Sequence, residues 1–366
     1  GAPAAAAATS GGGGSSPSPS SRGASRAVHL ERGRREGFVD VVLGTTKPYL
    51  VISEEHLAKL EKLYAVASRE RAAEGTASAS ATEGALVAAE KTGANPAEGE
   101  SAALHASLFA CLMRYETLRG AGYQCAVPGP AFDAVIPHLG RVVEMFASPL
   151  NAHNARFCSA FGPIEGVFGS LGSFFDFDPE EGSFEANPPF VPEVMDAMVE
   201  SIATLLRDAS RGPLSFLVVV PSWGAGVRTV ALLRGDACAP WRRASLDIPA
   251  ADHVFCDGAQ HTKGASLGEQ YRPSSWDTTV VLLQNDAGTK KWPATTALLA
   301  STFGQAMCDA GTDAGADLDG ARRRKRARRG RGRGVHRLSL QICSLRDRIR
   351  PLLGERRTRG SRRAGT

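Results

Sequence analysis

The 366-residue chain contains no apolar run as long as a bilayer span, which excludes a helical membrane crossing as the basis of its fold. It has no tryptophan before Trp223, and none of its predicted strands is followed by a Gly-rich GxGxG loop, so the usual phosphate-cradling turn is missing. Its seven cysteines (Cys111, Cys125, Cys158, Cys238, Cys256, Cys308, Cys343) are scattered and odd in number, a pattern of a reduced intracellular chain rather than a disulfide framework. The opening GAPAAAAATSGGGGSSPSPSSRG has neither a basic leader nor a Leu-rich core, so it does not read as a secretory signal. A start at Gly1 rather than Met is what a fragment shows. What is present is a chain 43% hydrophobic, enough for a sizeable core.

The net charge of +5 hides an asymmetry. From Arg322 onward there are 18 Lys and Arg against two acids, whereas the other 321 residues carry 25 bases and 36 acids. RRRKRARRGRGRG (Arg322 to Gly334) has the character of a nuclear signal or a nucleic-acid patch, the plain alternative being a solvated charged tail. Localisation in the nucleus is the expectation.

Composition and periodicity divide the chain into a disordered stretch 1–26, a mainly helical accessory region 27–130 with a flexible insertion 73–100, an α/β domain 131–300, and a basic disordered tail 301–366. FVDVVLG and YLVI read as strands, with Ser53 capping the helix HLAKLEKLYAVASRE. LHASLFACLMRYETL and AFDAVIPHL read as further helices. RVVEMFASPLN is a buried strand and its turn, SFEAN a short strand, and LSFLVVVPSW a continuous apolar run as in a covered parallel strand. SLDIPA and TTVVLLQND read as two more strands. A helix from about Pro192 to Ala209 puts Val194, Met195, Met198, Ile202, Leu205 and Leu206 on one face, and Pro192 suits its first turn. The alternation of strand and helix implies a doubly wound sheet, in which ligands sit at the carboxyl ends of strands. SPLN, NPPF and PSW all fall at such ends and should line one crevice.

Asn187-Pro188-Pro189-Phe190 carries the sharpest chemistry. The (Asn/Asp/Ser)-Pro-Pro-aromatic pattern is a hallmark of amino-group methyltransferases that use S-adenosylmethionine. An exocyclic amine is a poor nucleophile because its lone pair is delocalised into the ring. The Asn187 side-chain oxygen and the Pro188 carbonyl can each accept one of its N–H bonds and turn the lone pair toward a methyl group. Pro189 stiffens the turn, and Phe190 offers a face for an extruded base. In-line positioning then supplies most of the catalysis. The structural alternative is a rigid strand-to-helix connection with a buried Phe. Methylation at cytosine carbon 5 needs a nucleophilic Cys, usually after Pro, and the chain has no Pro-Cys dipeptide.

FASPLN, FCSAF, FGSLGSFFDF, EGSFEANPPF, MDAMV, PLSFLVVVPSW, IPA-x-x-H and LLQND occur in one order. Across roughly residues 105 to 293 this closely resembles the phosphorylated CTD-interacting factor family of cap-specific adenosine N6-methyltransferases. The resemblance implies a Rossmann-like class I methyltransferase sheet, S-adenosyl-L-methionine as cofactor, and N6-methylation of the cap-adjacent 2′-O-methyladenosine of mRNA. It gives Asn187, Pro188, Pro189 and Phe190 catalytic roles, Asn187 and Phe190 cofactor contacts as well, and Trp223, Ala251, Asp252 and His253 places on the capped substrate. Pro192 stands where animal members have an acid, and Glu193 would substitute for it. GAGV after Trp223 departs from the family's charged, Pro-rich run. Those members also carry an N-terminal WW domain; with no Trp before Trp223, none is expected here and docking to the RNA polymerase II tail is not supported.

Ser148, Pro149 and Asn151 occupy the place of the missing Gly-rich loop and are candidate cofactor residues. Asp176 in FFDF either binds ribose hydroxyls or closes a turn. His253, Cys256 and His261 have a loosely metal-like spacing without a second Cys pair, so no metal is expected. The alternatives to a cap methyltransferase are an amino-methyltransferase on another nucleic acid or protein Gln, and a non-catalytic RNA-binding protein of methyltransferase shape.

Overall fold

The computed structural model describes residues 27–44, 50–77, 96–118, 124–224, 227–264 and 267–315. The readings made for 1–26, for 78–95 of the insertion, for Ala225-Gly226 of the loop after Trp223 and for the basic run from Arg322 lie outside these residues.

A three-stranded antiparallel sheet opens the described chain: β1 (Val28–Arg32), β2 (Phe38–Leu43) and β3 (Leu50–Ser53). β1 was not read from the sequence, because VHLER alternates only weakly and its outer face is exposed. Helix α1 (Glu54–Ala77) follows directly, capped by Ser53, whose Oγ accepts from the His56 amide at 3.2 Å. Glu54 and Glu55 in its first turn complement the helix dipole. α1 extends to Ala77 and α2 spans Pro96–Leu118, so both ends of the expected insertion 73–100 are helical. Leu60, Leu63, Leu108, Leu112 and Ile52 form the buried contact between these helices and the small sheet.

The larger sheet has six strands in the order β5-β4-β6-β7-β11-β8. β4 (Val142–Ala147), β5 (Phe157–Ser159), β6 (Gly182–Ala186) and β7 (Leu214–Pro221) are mutually parallel. β8 (Arg242–Ile248) lies at the edge, and β11 (Thr278–Gln284) runs antiparallel between it and β7. The apolar run LSFLVVVP is covered along its whole length, as expected, but is parallel to β6 only and antiparallel to β11. β9 (Val254–Cys256) and β10 (Tyr271–Pro273) form a separate two-stranded ribbon.

Helices cover both faces. α3 (Gly129–Leu139) and α4 (Pro192–Arg207) lie on opposite sides: α4 packs Met195, Met198, Val199 and Ile202 against Phe184, Phe216, Val218 and Val220, while α3 packs Phe132 and Val135 with Leu217, Val219 and Leu282. Each large side chain so buried contributes roughly 1.5–3 kcal/mol. α5 (Arg228–Arg234) follows β7, and α6 (Asp286–Lys291) follows β11. Asn285 explains the LLQND word: its Oδ1 caps α6 by accepting from Gly288 N at 2.7 Å and also accepts from Leu214 N at 3.0 Å. A Cβ at Gly288 would come within 2.2 Å of the Leu214 carbonyl, so the helix approaches β7 only with glycine there.

The C-terminal boundary differs from the expectation. Residues 296–315 are helical (α7), with a π-helical stretch at Ala300–Gly304. Phe303 and Met307 are fully buried against Val280 and Leu282. The basic tail cannot begin at 301, because that segment completes the core. Among the described residues no helix is long and apolar enough to cross a membrane, and no disulfide joins the described cysteines.

Candidate active site at the carboxyl ends of β4, β6 and β7

Ser148 follows β4, Asn187 follows β6, and Ser222-Trp223 follows β7, at the same end of three adjacent parallel strands. The SPLN turn is closed on itself. Asn151 Oδ1 accepts from the Ser148 amide at 2.7 Å and from Ser148 Oγ at 2.8 Å. Its Nδ2 donates to the Gln124 carbonyl at 2.9 Å. One residue further along the same segment, the Cys125 carbonyl accepts from Asn187 Nδ2 at 3.0 Å. The dipeptide Gln124-Cys125 thus ties the two asparagines together, and Ala126 is bridged to Cys256 beyond it. Nothing in the local sequence around residue 124 marks this role.

The Cys125 carbonyl accepts only a donor, so the Asn187 amide is oriented with Nδ2 inward. Asn187 Oδ1 is left buried without a partner, although the residue is only 7% exposed. Such an atom costs about 1–3 kcal/mol when nothing pairs with it. Pro188 is buried. The Val191 amide donates to the Pro189 carbonyl at 2.6 Å, a tight turn that leaves the Pro188 carbonyl as the main-chain acceptor beside Asn187. Pro192 then opens α4, and exposed Glu193 lies in its first turn.

Phe190 stands in a ladder of edge-to-face aromatics: 6.0 Å from Phe255, 6.2 Å from Trp223, with Trp223 in turn 6.1 Å from Trp276. Trp223 is half-buried and its Nε1 is buried without a partner. Trp276, 54% exposed, ends the ladder at the surface and was missed in the sequence, where it stands alone in a polar turn. His253 is buried, and both of its ring nitrogens are paired within the fold. Its Nδ1 donates to the Pro249 carbonyl at 2.7 Å, so its Nε2 accepts from Thr278 Oγ1 at 2.8 Å, and burial lowers its pKa. Nε2 thus ties the start of β9 to β11, and Nδ1 ties it to the turn that follows β8. Ala251 and Asp252 beside it are exposed. Asp176 is exposed in a turn at Phe174–Asp176 that Ser173 caps. Among the described residues no group of three His, Cys, Asp or Glu side chains could hold a metal ion.

Beneath the strand ends lies a group of buried titratable side chains that the sequence did not reveal. Glu144 Oε1 accepts from the His153 and Asn154 amides at 2.8 and 2.7 Å, pinning the chain that leaves SPLN. Burial raises its pKa, while those amides and Lys59 oppose the rise. Lys59 of α1 donates to the Leu150 carbonyl at 3.2 Å, and burial brings its pKa down to about 8. His56 and His261 are each lowered to about 4, first by burial. Glu185, two residues before Asn187, is raised well above the usual carboxylate range by burial and then by Glu144.

Residues 59–258, more than half of the chain, match the family model of the phosphorylated CTD interacting factor 1 WW domain. The match starts within α1, well before residue 105 where the sequence resemblance became dense. An mRNA (2′-O-methyladenosine-N(6)-)-methyltransferase of Homo sapiens is 40% identical over 194 residues, which are 51% of this chain and 27% of the human protein. The Mus musculus protein of the same name is 39% identical over 194 residues, with the same coverage of each chain. The matched part spans about a quarter of the length of these relatives. With Asn187-Pro188-Pro189-Phe190 inside the matched span, the chain belongs to the phosphorylated CTD interacting factor 1 family.

Proposed function

We propose that this chain transfers a methyl group from S-adenosyl-L-methionine to N6 of the 2′-O-methyladenosine beside the cap of mRNA, on a Rossmann-like class I methyltransferase sheet. The observation that carries the reading is Asn187 Oδ1, an oriented, buried and unpartnered acceptor at the end of β6. The sheet order supports the fold assignment, with its single reversed strand β11 lodged between β7 and β8. The names of the human and mouse relatives support the substrate.

The residues present fit the donor and an aromatic amine. The donor supplies an electrophilic methyl group. Asn187 Oδ1 and the Pro188 carbonyl accept the two N–H bonds of the target amine, which draws its lone pair out of the ring. The Cys125 carbonyl holds the Asn187 amide against rotation. Phe190, braced by Phe255 and Trp223, flanks the base and excludes water from the amine. The closed turn of Ser148, Pro149 and Asn151 forms the wall on the donor's side. Trp223 and Trp276 lead outward from Phe190 and offer indole faces to the cationic cap base, worth about 1–2 kcal/mol. Glu193, Ala251 and Asp252 are exposed and available to the rest of the 5′ end. The basic run from Arg322 suits RNA and a nuclear address.

The test is methyl transfer from a tritiated donor to RNAs that start with A, G or C, each with and without a 7-methylguanosine cap. Transfer confined to capped RNAs that start with A is expected. Equal labelling with and without the cap would overturn the substrate assignment, and no labelling of any RNA would overturn the activity.

A further inference from the structure

One face of β6 is polar where a core strand is ordinarily apolar. Ser183, Glu185 and Asn187 alternate along it, each carrying a buried oxygen without a partner: Ser183 Oγ, Glu185 Oε1 and Asn187 Oδ1. The other face, Phe184 and Ala186, packs in the apolar core. Glu185 is also the register partner of Glu144 on β4, so two buried carboxyl groups stand side by side on parallel neighbours. Both residues are at least 97% buried, at 2% and 3% exposure.

The two acids are not equivalent. Glu144 has work within the fold, since its Oε1 holds the amides of His153 and Asn154. Lys59, the nearby cation, interacts electrostatically with Glu144 and donates a hydrogen bond to the Leu150 carbonyl. Glu185 has an unsatisfied oxygen and a like charge as its strongest electrostatic neighbour. A fold has no reason of its own to bury a carboxyl group in this way, since desolvation without a counter-charge is costly. A ligand cation would remove that cost.

We infer that Glu185 is the acceptor for the α-ammonium group of the methyl donor's amino-acid end. The assignment rests on the donor reading above. Strand geometry supports the choice of the ammonium over the sulfonium. Asn187 holds the target amine, and the reacting methyl group must lie within about 3 Å of it. Glu185 is two residues deeper, roughly 6–7 Å along the strand. The sulfonium is bonded to the reacting methyl group and stays near Asn187, whereas the ammonium lies at the end of the aminocarboxypropyl arm and reaches farther. A charge-assisted hydrogen bond from an ammonium to a carboxylate in a dry site is one of the stronger contacts available.

The experiment compares wild type and Glu185→Gln, an isosteric change that keeps the hydrogen-bonding shape and removes the charge. Calorimetry measures three ligands: S-adenosylmethionine, S-adenosylhomocysteine, which keeps the ammonium but lacks the sulfonium, and methylthioadenosine, which lacks the amino-acid end. The expected result is at least about tenfold weaker binding of the first two and unchanged binding of the third. Thermal melting of the ligand-free proteins checks the fold: Glu185→Gln should melt no lower than wild type, because it relieves the pairing with Glu144. A loss confined to S-adenosylmethionine would assign the carboxylate to the sulfonium and overturn the inference. Equal loss for all three, or none, would also overturn it, as would a lower melting temperature with unchanged affinities, which marks a structural acid. If wild type binds none of the three, the donor reading itself fails, and the assignment with it.

Discussion

At the scale of the residue, the site turns on how one amide is held. Asn187 has its donor occupied by Cys125 and an acceptor left over, and the proposed reaction uses that acceptor. Asn187→Ala should therefore reduce methyl transfer by about 10²-fold or more while leaving the melting temperature within a few degrees of wild type, since removing an oriented hydrogen-bonding group from a dry site costs that much in rate. Single-turnover transfer to a capped RNA, read beside a melting curve, checks both halves. The motif that marks this residue is contiguous, four letters of sequence. Its anchor has no such mark, because Cys125 lies 62 residues away in the chain and contributes only a carbonyl, which every residue has. His253 shows the reverse case: a chemically attractive side chain near the site whose two nitrogens are both consumed by neighbours.

At the scale of the element, two segments carry predictions. α7 was read as part of a disordered tail because its sequence, STFGQAMCDAGTDAG, shows a weak apolar stripe. Phe303 nonetheless fills the core beside Leu282 and Phe255. Phe303→Ala should cost about 3–5 kcal/mol, measured by urea unfolding, as for other fully buried phenylalanines. The start of α1 carries the second. His56 is buried at that helix end, its Nδ1 2.9 Å from Ser53 Oγ, with a pKa lowered from 6.5 to about 4. Above pH 6.5 the ring is neutral in both folded and unfolded chains and contributes nothing to the pH dependence. Below pH 6.5 the unfolded chain takes the proton and the folded one does not, so stability is lost down to about pH 4. His56→Gln should gain on wild type as pH falls through that window, by up to about 3 kcal/mol. Urea unfolding of both proteins at pH 7 and at pH 4.5 measures the difference. A gap that does not change with pH would mean that His56 titrates normally.

At the scale of the whole molecule, charge is divided between an acidic body and a basic end. The 18 Lys and Arg from Arg322 onward are suited to phosphate attraction rather than to base recognition. Ending the chain after Gly315 should weaken binding to all RNAs alike and flatten the dependence of affinity on salt, with the capped-to-uncapped ratio unchanged. Titrations between 50 and 200 mM salt give the slope, and a fluorescent fusion reports whether nuclear accumulation is lost. An unchanged slope would reduce the tail to a solvated appendage.

The sequence by itself determined the elements whose signals are local. Pro192 opening its helix, Ser53 capping another, the apolar stripe of α4 and the turn that ends β6 all depend on residues within a few positions of one another, and the motif Asn187–Phe190 is contiguous. Only the tertiary structure decided what depends on register between distant strands. The reversal of β11 inside a parallel sheet comes from where a strand is inserted, and its apolar composition is the same in either direction. Trp276 joins the aromatic ladder because the turn before β11 folds over Trp223. Glu144 and Glu185 meet because β4 and β6 pair with those residues opposite, 41 positions apart in the chain. Side chains on neighbouring strands face one another through backbone hydrogen bonds that every residue can make, so their pairing leaves no mark in composition, and the buried carboxyl pair of this site became visible only in the assembled sheet.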